Sequence, residues 1–270
     1  MQYVFSPLSK PCTHTGSVHR WLYDEAGILH CDLSLNNIMY RIIKEINAKG
    51  ETEDRVYGVL TDYDLSSWTA SLETSQDRVG SPLYMAHELL RGTSDVHLYR
   101  HDVESFFYIM LTMCGHHTIS GTNGAGKGAK LRVVMREGVL PYEDWYNEPS
   151  FANLGQFKHY LLLVSTPIEL SPIFEDFRPW LKDLKASLSG GFISKISHNL
   201  TPPDWQLRRA GGSAGRTGPA PAPFDDETLG GHVNYSAIIE PARELEGELK
   251  GLIIRYDPTS STSPTQAGAV

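Results

Sequence analysis

The sequence predicts a mainly helical α+β chain, and three patterns carry that expectation. Asp102 opens a run that is apolar on every side (Val103, Phe106, Phe107, Ile109, Met110, Leu111, Met113), as a helix through the middle of a core must be. Helical spacing recurs near Ser17–Ala26, Met85–Leu90, Lys130–Glu137, Phe151–Val164 and Phe174–Leu188. Two β-prone runs, Ile38-Met39-Tyr40 and Val56–Leu60, flank a charged stretch with the turn signal Asn47-Ala48-Lys49-Gly50. Together they read as a short hairpin with an enlarged tip.

Taken in order, Tyr3-Val4-Phe5 is a strand end running into a Pro-containing loop. In the first helix Val18, Trp21 and Leu22 share a face, and Gly27 supplies the C-cap. Ile28-Leu29 leads into His30-Cys31-Asp32-Leu33-Ser34-Leu35-Asn36-Asn37, and the hairpin follows. Leu65 to Val79 is Ser- and Thr-rich and reads as an exposed loop, ended by Gly80-Ser81-Pro82. Asp102 stands at the start of the central helix, where a carboxylate can receive free backbone N–H groups. Gly115 to Gly128 reads as a loop. Its Gly121–Gly128 run nearly matches a phosphate-binding P-loop but lacks the final Ser/Thr and follows a helix where a strand is required. From Thr201 the composition turns to Pro and Gly. The domain reading is therefore 1–200 as one folded unit, 201–224 as a linker, and 225–270 as a mostly disordered tail with one short helix near Pro241–Lys250.

Composition sets outer bounds. The 270 residues suit one or two domains with a sizeable core. A formal charge of −8 argues against nucleic acid or an anionic membrane as the main partner. No segment is apolar and long enough to span a bilayer. Met1–Pro11 lacks the basic and apolar regions of a secretory signal, and Cys12, Cys31 and Cys114 form neither disulfide nor zinc spacing. The expected location is the cytoplasm or nucleus.

The chemistry concentrates at Asp32, Asn37 and Asp62. An Asp can take the proton of a hydroxyl nucleophile. An Asn and an Asp offer hard oxygen ligands for magnesium on a phosphate. The hairpin should bring Asn37 and Asp62 to neighbouring strand ends. Asp64 is a loop residue, and His30 a histidine packed beneath the loop. Cys31 reads as an inert thiol.

These residues resemble protein-kinase motifs in family order. His30-Cys31-Asp32 with Asn37 is similar to the catalytic loop HRDLxxxxN, and Asp62-Tyr63-Asp64 stands where that family has DFG. Gly80-Ser81 with Tyr84-Met85-Ala86-His87-Glu88 resembles GT…YMAPE, and Arg100–Phe107 resembles the start of the kinase central helix. The variants look most like the fungal-type protein kinase family, over roughly residues 1 to 190. The resemblance implies a kinase-like large lobe with a hairpin at the active site, beginning near the hinge at Tyr3–Ser6, with the small N-terminal lobe missing. It implies a protein kinase of Ser/Thr type that moves the γ-phosphoryl of ATP to a protein hydroxyl. Asp32 would be the catalytic base; Asn37 and Asp62 would bind nucleotide and Mg2+; Glu88 would anchor its segment through Arg178; Asp102 would brace the catalytic loop.

Several residues depart from that pattern. The 29 residues before His30 hold neither GxGxxG nor a VAIK-like run. Cys31 replaces the Arg that reads activation-loop phosphate. Ser34 replaces the catalytic-loop Lys, Asp64 the DFG Gly, and His87 the Pro of APE. The alternative reading is a pseudokinase or interaction module whose protein partner docks where the small lobe would sit. A second alternative, a small-molecule kinase of the antibiotic or choline type, shares the loop but lacks the segment around Glu88.

Overall fold

The computed structural model describes residues 18–69, 80–121, 131–200 and 223–235. The expected N-terminal strand end, most of the Gly121–Gly128 loop, most of the linker and the helix near Pro241–Lys250 lie outside them.

The described chain is α+β. Helix α1 covers 18–24, and Gly27 leaves it with φ 64°, the left-handed conformation expected of a C-cap. Strands β1 (Ile28–Leu29), β2 (Ile38–Ile46), β3 (Thr52–Leu60) and β4 (Ser67–Trp68) follow. Helices α2 (His87–Arg91) and α3 (Tyr99–His116) precede strands β5 (His117–Gly121) and β6 (Leu131–Met135). Helices α4 (Asp144–Asn147) and α5 (Phe151–Leu163), a 3-10 turn (Pro172–Phe177) and α6 (Arg178–Leu200) complete the order. The strands form three antiparallel pairs: β1–β4, β2–β3 and β5–β6.

All of α3 is buried. Its second half, from Phe106 to Cys114, is the apolar centre that the sequence pattern predicts, and each large side chain removed from water there contributes about 1.5–3 kcal/mol. Its first turns bury Arg100, His101, Asp102 and Glu104 as well, and these polar groups need partners within the protein.

Three expectations change. The hairpin is not short with a loose tip: β2 and β3 are nine residues each and pair continuously from Ile38↔Leu60 to Ile46↔Thr52. The turn closes tightly because the Asn47 side-chain oxygen accepts from the N–H groups of Lys49 (2.9 Å) and Glu51 (3.0 Å), and Gly50 takes φ 78°. Residues 130–137 hold strand β6, not a helix. Val133 and Val134 favour extended backbone, and His117–Gly121 offers the complementary edge. The final helix runs on to Leu200, beyond the expected Leu188.

Residues 225–235, at the head of the expected tail, fold as turns against α3 and α6. Leu229 and Val233 are fully buried. The Glu227 carboxylate accepts from the Tyr99 N–H (2.8 Å) and the Tyr23 hydroxyl (3.1 Å). Gly191 of α6 makes this docking possible: a Cβ there would lie 2.6 Å from the Leu229 Cβ. Among the described residues no helix is long and apolar enough to cross a membrane.

Candidate active site

The loop from His30 to Asn37 is fixed from below by α3. The Asp102 carboxylate is inaccessible to solvent and receives four groups: the N–H of His30 (3.0 Å), the N–H of Cys31 (3.2 Å), His19 Nε2 (2.8 Å) and His97 Nε2 (2.8 Å). Burial opposes its ionisation, but the two imidazoles outweigh that and hold it well below the usual carboxylate range. Asp102 thus braces the loop, as its position implied. Its N–H groups come from the loop rather than from the start of its own helix.

His30 is fully buried, as expected, and links the two halves of the site. Its Nδ1 accepts from the Asp32 N–H (3.3 Å), which places the proton on Nε2, and Nε2 donates to the Thr61 carbonyl (3.0 Å). The Tyr63 ring lies 5.0 Å from the imidazole. Cys31 takes φ 66° and Asp62 φ 64°, conformations costly for side chains other than glycine's. Burial pushes the Cys31 thiol up to about 12, so it stays protonated.

Asp32 is half-buried. Its Oδ1 accepts from the Ser81 N–H at 2.8 Å, and its Oδ2 from the Asn37 amide at 3.3 Å. The same amide donates to the Asp32 carbonyl at 2.9 Å. The Asn37 carbonyl in turn accepts the Thr61 N–H (2.9 Å) and hydroxyl (3.2 Å), extending the β2–β3 register by one pair. Asn37 and Thr61 are therefore neighbours, and Asp62 follows directly. The hairpin brings together the two residues that sequence spacing assigned to it.

Both amide protons are spent on Asp32, and among the described residues no protein donor bonds the Asn37 side-chain oxygen. The Asp62 carboxylate is exposed, and among the described residues no protein donor bonds to either oxygen. An exposed carboxylate beside a buried amide oxygen suits magnesium, which keeps several waters and takes one or two protein ligands alongside phosphate. Asp64 is exposed beyond them.

Glu88 is anchored, but not by Arg178. Arg178 pairs with Glu175 three positions before it, at 2.6 Å, and donates to the Ile168 carbonyl. Glu88 instead meets Arg100 at 2.5 Å and Lys195 at 3.0 Å. Burial would raise its carboxyl, but His101, Arg100 and Lys195 outweigh that and hold it well below the usual range. Both cations also reach Asp226, at 3.3 Å and 2.8 Å. Arg100 sits at the head of the buried helix, so a cation inside an apolar run was the available signal. Ser81, His19 and Lys195 had no such signal, because their partners are distant in sequence.

A carboxylate held by an amide and a backbone N–H, beside a second carboxylate at the next strand end, offers a proton acceptor next to a hard oxygen ligand. The motifs that carry these residues resemble those of protein kinases. Residues 15–114 match the family model described as fungal protein kinase, which bears out the resemblance drawn from the motifs. The matched stretch holds Asp32, Asn37, Asp62, Glu88 and Asp102. No curated protein matches the chain. A protein kinase of that description uses ATP with Mg2+, which is the ligand chemistry this likeness points to.

Proposed function

We propose that this chain is the catalytic-loop portion of a protein kinase of Ser/Thr type, built as a kinase-like large lobe over residues 1–200. It would move the γ-phosphoryl of ATP to a protein hydroxyl. The observation that supports this best is the seating of Asp32: both carboxylate oxygens are oriented, and Asn37 and Asp62 present unspent oxygens beside it. In this reading Asp32 orients the acceptor hydroxyl and takes its proton. The hydroxyl oxygen bonds to the γ-phosphorus as the bond to the bridging oxygen breaks and ADP departs. Asn37 and Asp62 would hold Mg2+, which when bound supplies positive charge against the phosphate oxygens. Ser34, buried beneath the loop, adds no charge at that point.

A second reading, an interaction module without transfer, is favoured by exposed apolar side chains on the hairpin and the segment after it. Tyr63, Leu65 and Trp68 are exposed, and Ile42 of β2 is half-exposed. A protein partner would cover this surface.

Calorimetry of ATP binding with and without Mg2+ separates the two. The kinase reading expects magnesium-dependent binding that Asp62→Ala abolishes. It also expects Asp32→Ala to keep binding and lose all phosphoryl transfer. No magnesium-dependent binding would leave the interaction module.

A further inference from the structure

Lys158 of α5 is wholly buried, yet among the described residues no carboxylate lies within ion-pair distance of its ammonium. The facing acid, Glu104, commits Oε1 to the His87 N–H (2.7 Å), the His87 imidazole (2.9 Å) and the Tyr108 hydroxyl (2.6 Å). Burial pushes the Lys158 amine well below the ordinary lysine range. A methionine would fill the same space, 4.3 Å from the Tyr108 ring, with no charge to desolvate. What Lys158 adds is donors. Its Nζ bonds the Met85 carbonyl at 2.7 Å and the Pro82 carbonyl at 3.1 Å.

Those carbonyls belong to one turn. The Ser81 carbonyl accepts the N–H groups of Tyr84 and Met85, both at 3.0 Å, so 81–85 forms a single closed loop of backbone. The N–H at the head of that turn is the one that donates to Asp32 Oδ1 at 2.8 Å. Gly80 permits the approach: with φ 121°, its missing Cβ would lie 3.3 Å from the same Oδ1. The turn is therefore pinned at one end by Asp32 and at the other by an amine rising from α5.

We propose that Lys158 is a positioning residue for phosphoryl transfer, holding turn 81–85 so that the Ser81 N–H fixes the orientation of the Asp32 carboxylate. This rests on the kinase reading for its consequence, but not for its geometry. A carboxylate freed to rotate spends less time aligned with the acceptor hydroxyl, and misalignment of about 1 Å costs on the order of a hundredfold in rate.

The test compares the full chain with Lys158→Met and Lys158→Gln, using dephosphorylated casein as acceptor. Lys158→Met should lower kcat about ten- to a hundredfold while leaving the KM for ATP and the thermal midpoint near those of the unmodified chain. Lys158→Gln, which keeps an N–H donor, should recover part of the loss. Amide exchange at Ser81 should quicken at least tenfold in the Met variant while exchange across α3 stays unchanged. Unchanged kcat in Lys158→Met overturns the proposal, as does a kcat loss matched by a fall in thermal midpoint. If the unmodified chain transfers no phosphoryl group, the kinase reading fails separately. Ser81 exchange then decides: unchanged protection overturns the positioning role, and quickened exchange upholds it.

Discussion

Asp102 and Asp62 are both acidic residues of the same site, in opposite physical circumstances. Asp102 is sealed from solvent, receives four donors and is driven strongly towards its charged form. Asp62 is exposed, sits on a left-handed residue at a strand end and bonds no donor among the described residues. A perturbed carboxylate in a cleft is often taken as a sign of chemistry. Here the perturbed groups are the frame. Asp102 and Glu88 have their charges met by neighbours, and Glu104 has one oxygen so met, whereas among the described residues no protein donor bonds the side-chain oxygens of Asn37 and Asp62.

The largest effect should come from breaking the frame. Asp102→Ala leaves two loop N–H groups and two imidazoles around a void. The expected loss is about 3–5 kcal/mol, as for other buried charge networks deprived of one partner. Denaturant unfolding followed by fluorescence measures it. A loss below about 1 kcal/mol would mean that the loop is held elsewhere and would dissolve the contrast with Asp62.

The two regions also differed in how far the sequence disclosed them. Asn37 and Asp62 were legible because a hairpin is local: strands joined by Asn47–Gly50 must bring their far ends together, whatever their length. The central helix was legible because its apolar run has no polar side. The partners of the buried charges were not. His19 reaches Asp102 across 83 residues and Lys195 reaches Glu88 across 107, and no periodicity encodes such meetings. The assignment of Arg178 to Glu88 failed for that reason, since a nearer acid, Glu175, takes the guanidinium. Strand β6 was missed because its pairing partner, not its own five residues, decides its state. The Gly190-Gly191 pair lies past the expected helix end at Leu188, yet it sits inside the helix, where the segment at Leu229 approaches closely.

An intermediate effect is set by pH. Burial pushes the His101 imidazole down to about 3, and His87 with its hydrogen bonds outweighs burial to pull Glu104 to about 2. Below pH 6.5 the unfolded chain binds a proton at His101 that the native chain refuses. Stability present above that pH is therefore lost as pH falls towards about 3. Glu104 adds its loss only below about 4.5, its ordinary value. Unfolding free energies of the unmodified chain and His101→Gln, measured from pH 7 to pH 4.5, should both fall as pH falls, less steeply in the second, where the burial-lowered His116, His117 and His159 still contribute. Equal slopes would place the acid sensitivity outside the frame.

The smallest effect on stability should belong to the residue with the largest proposed role. Asp62→Ala removes an exposed carboxylate to which no donor among the described residues bonds, so folding stability should stay within about 0.5 kcal/mol. Only the left-handed backbone at Asp62 works against this, because Ala adopts φ 64° less readily than Asp. Asp62→Asn separates the two contributions. Asn keeps the backbone preference and loses the charge. It should therefore match the unmodified chain in unfolding midpoint while losing magnesium-dependent nucleotide binding. A stability loss in Asp62→Asn comparable to that of Asp102→Ala would put Asp62 inside the frame and remove the ground for treating its carboxylate as free for a ligand.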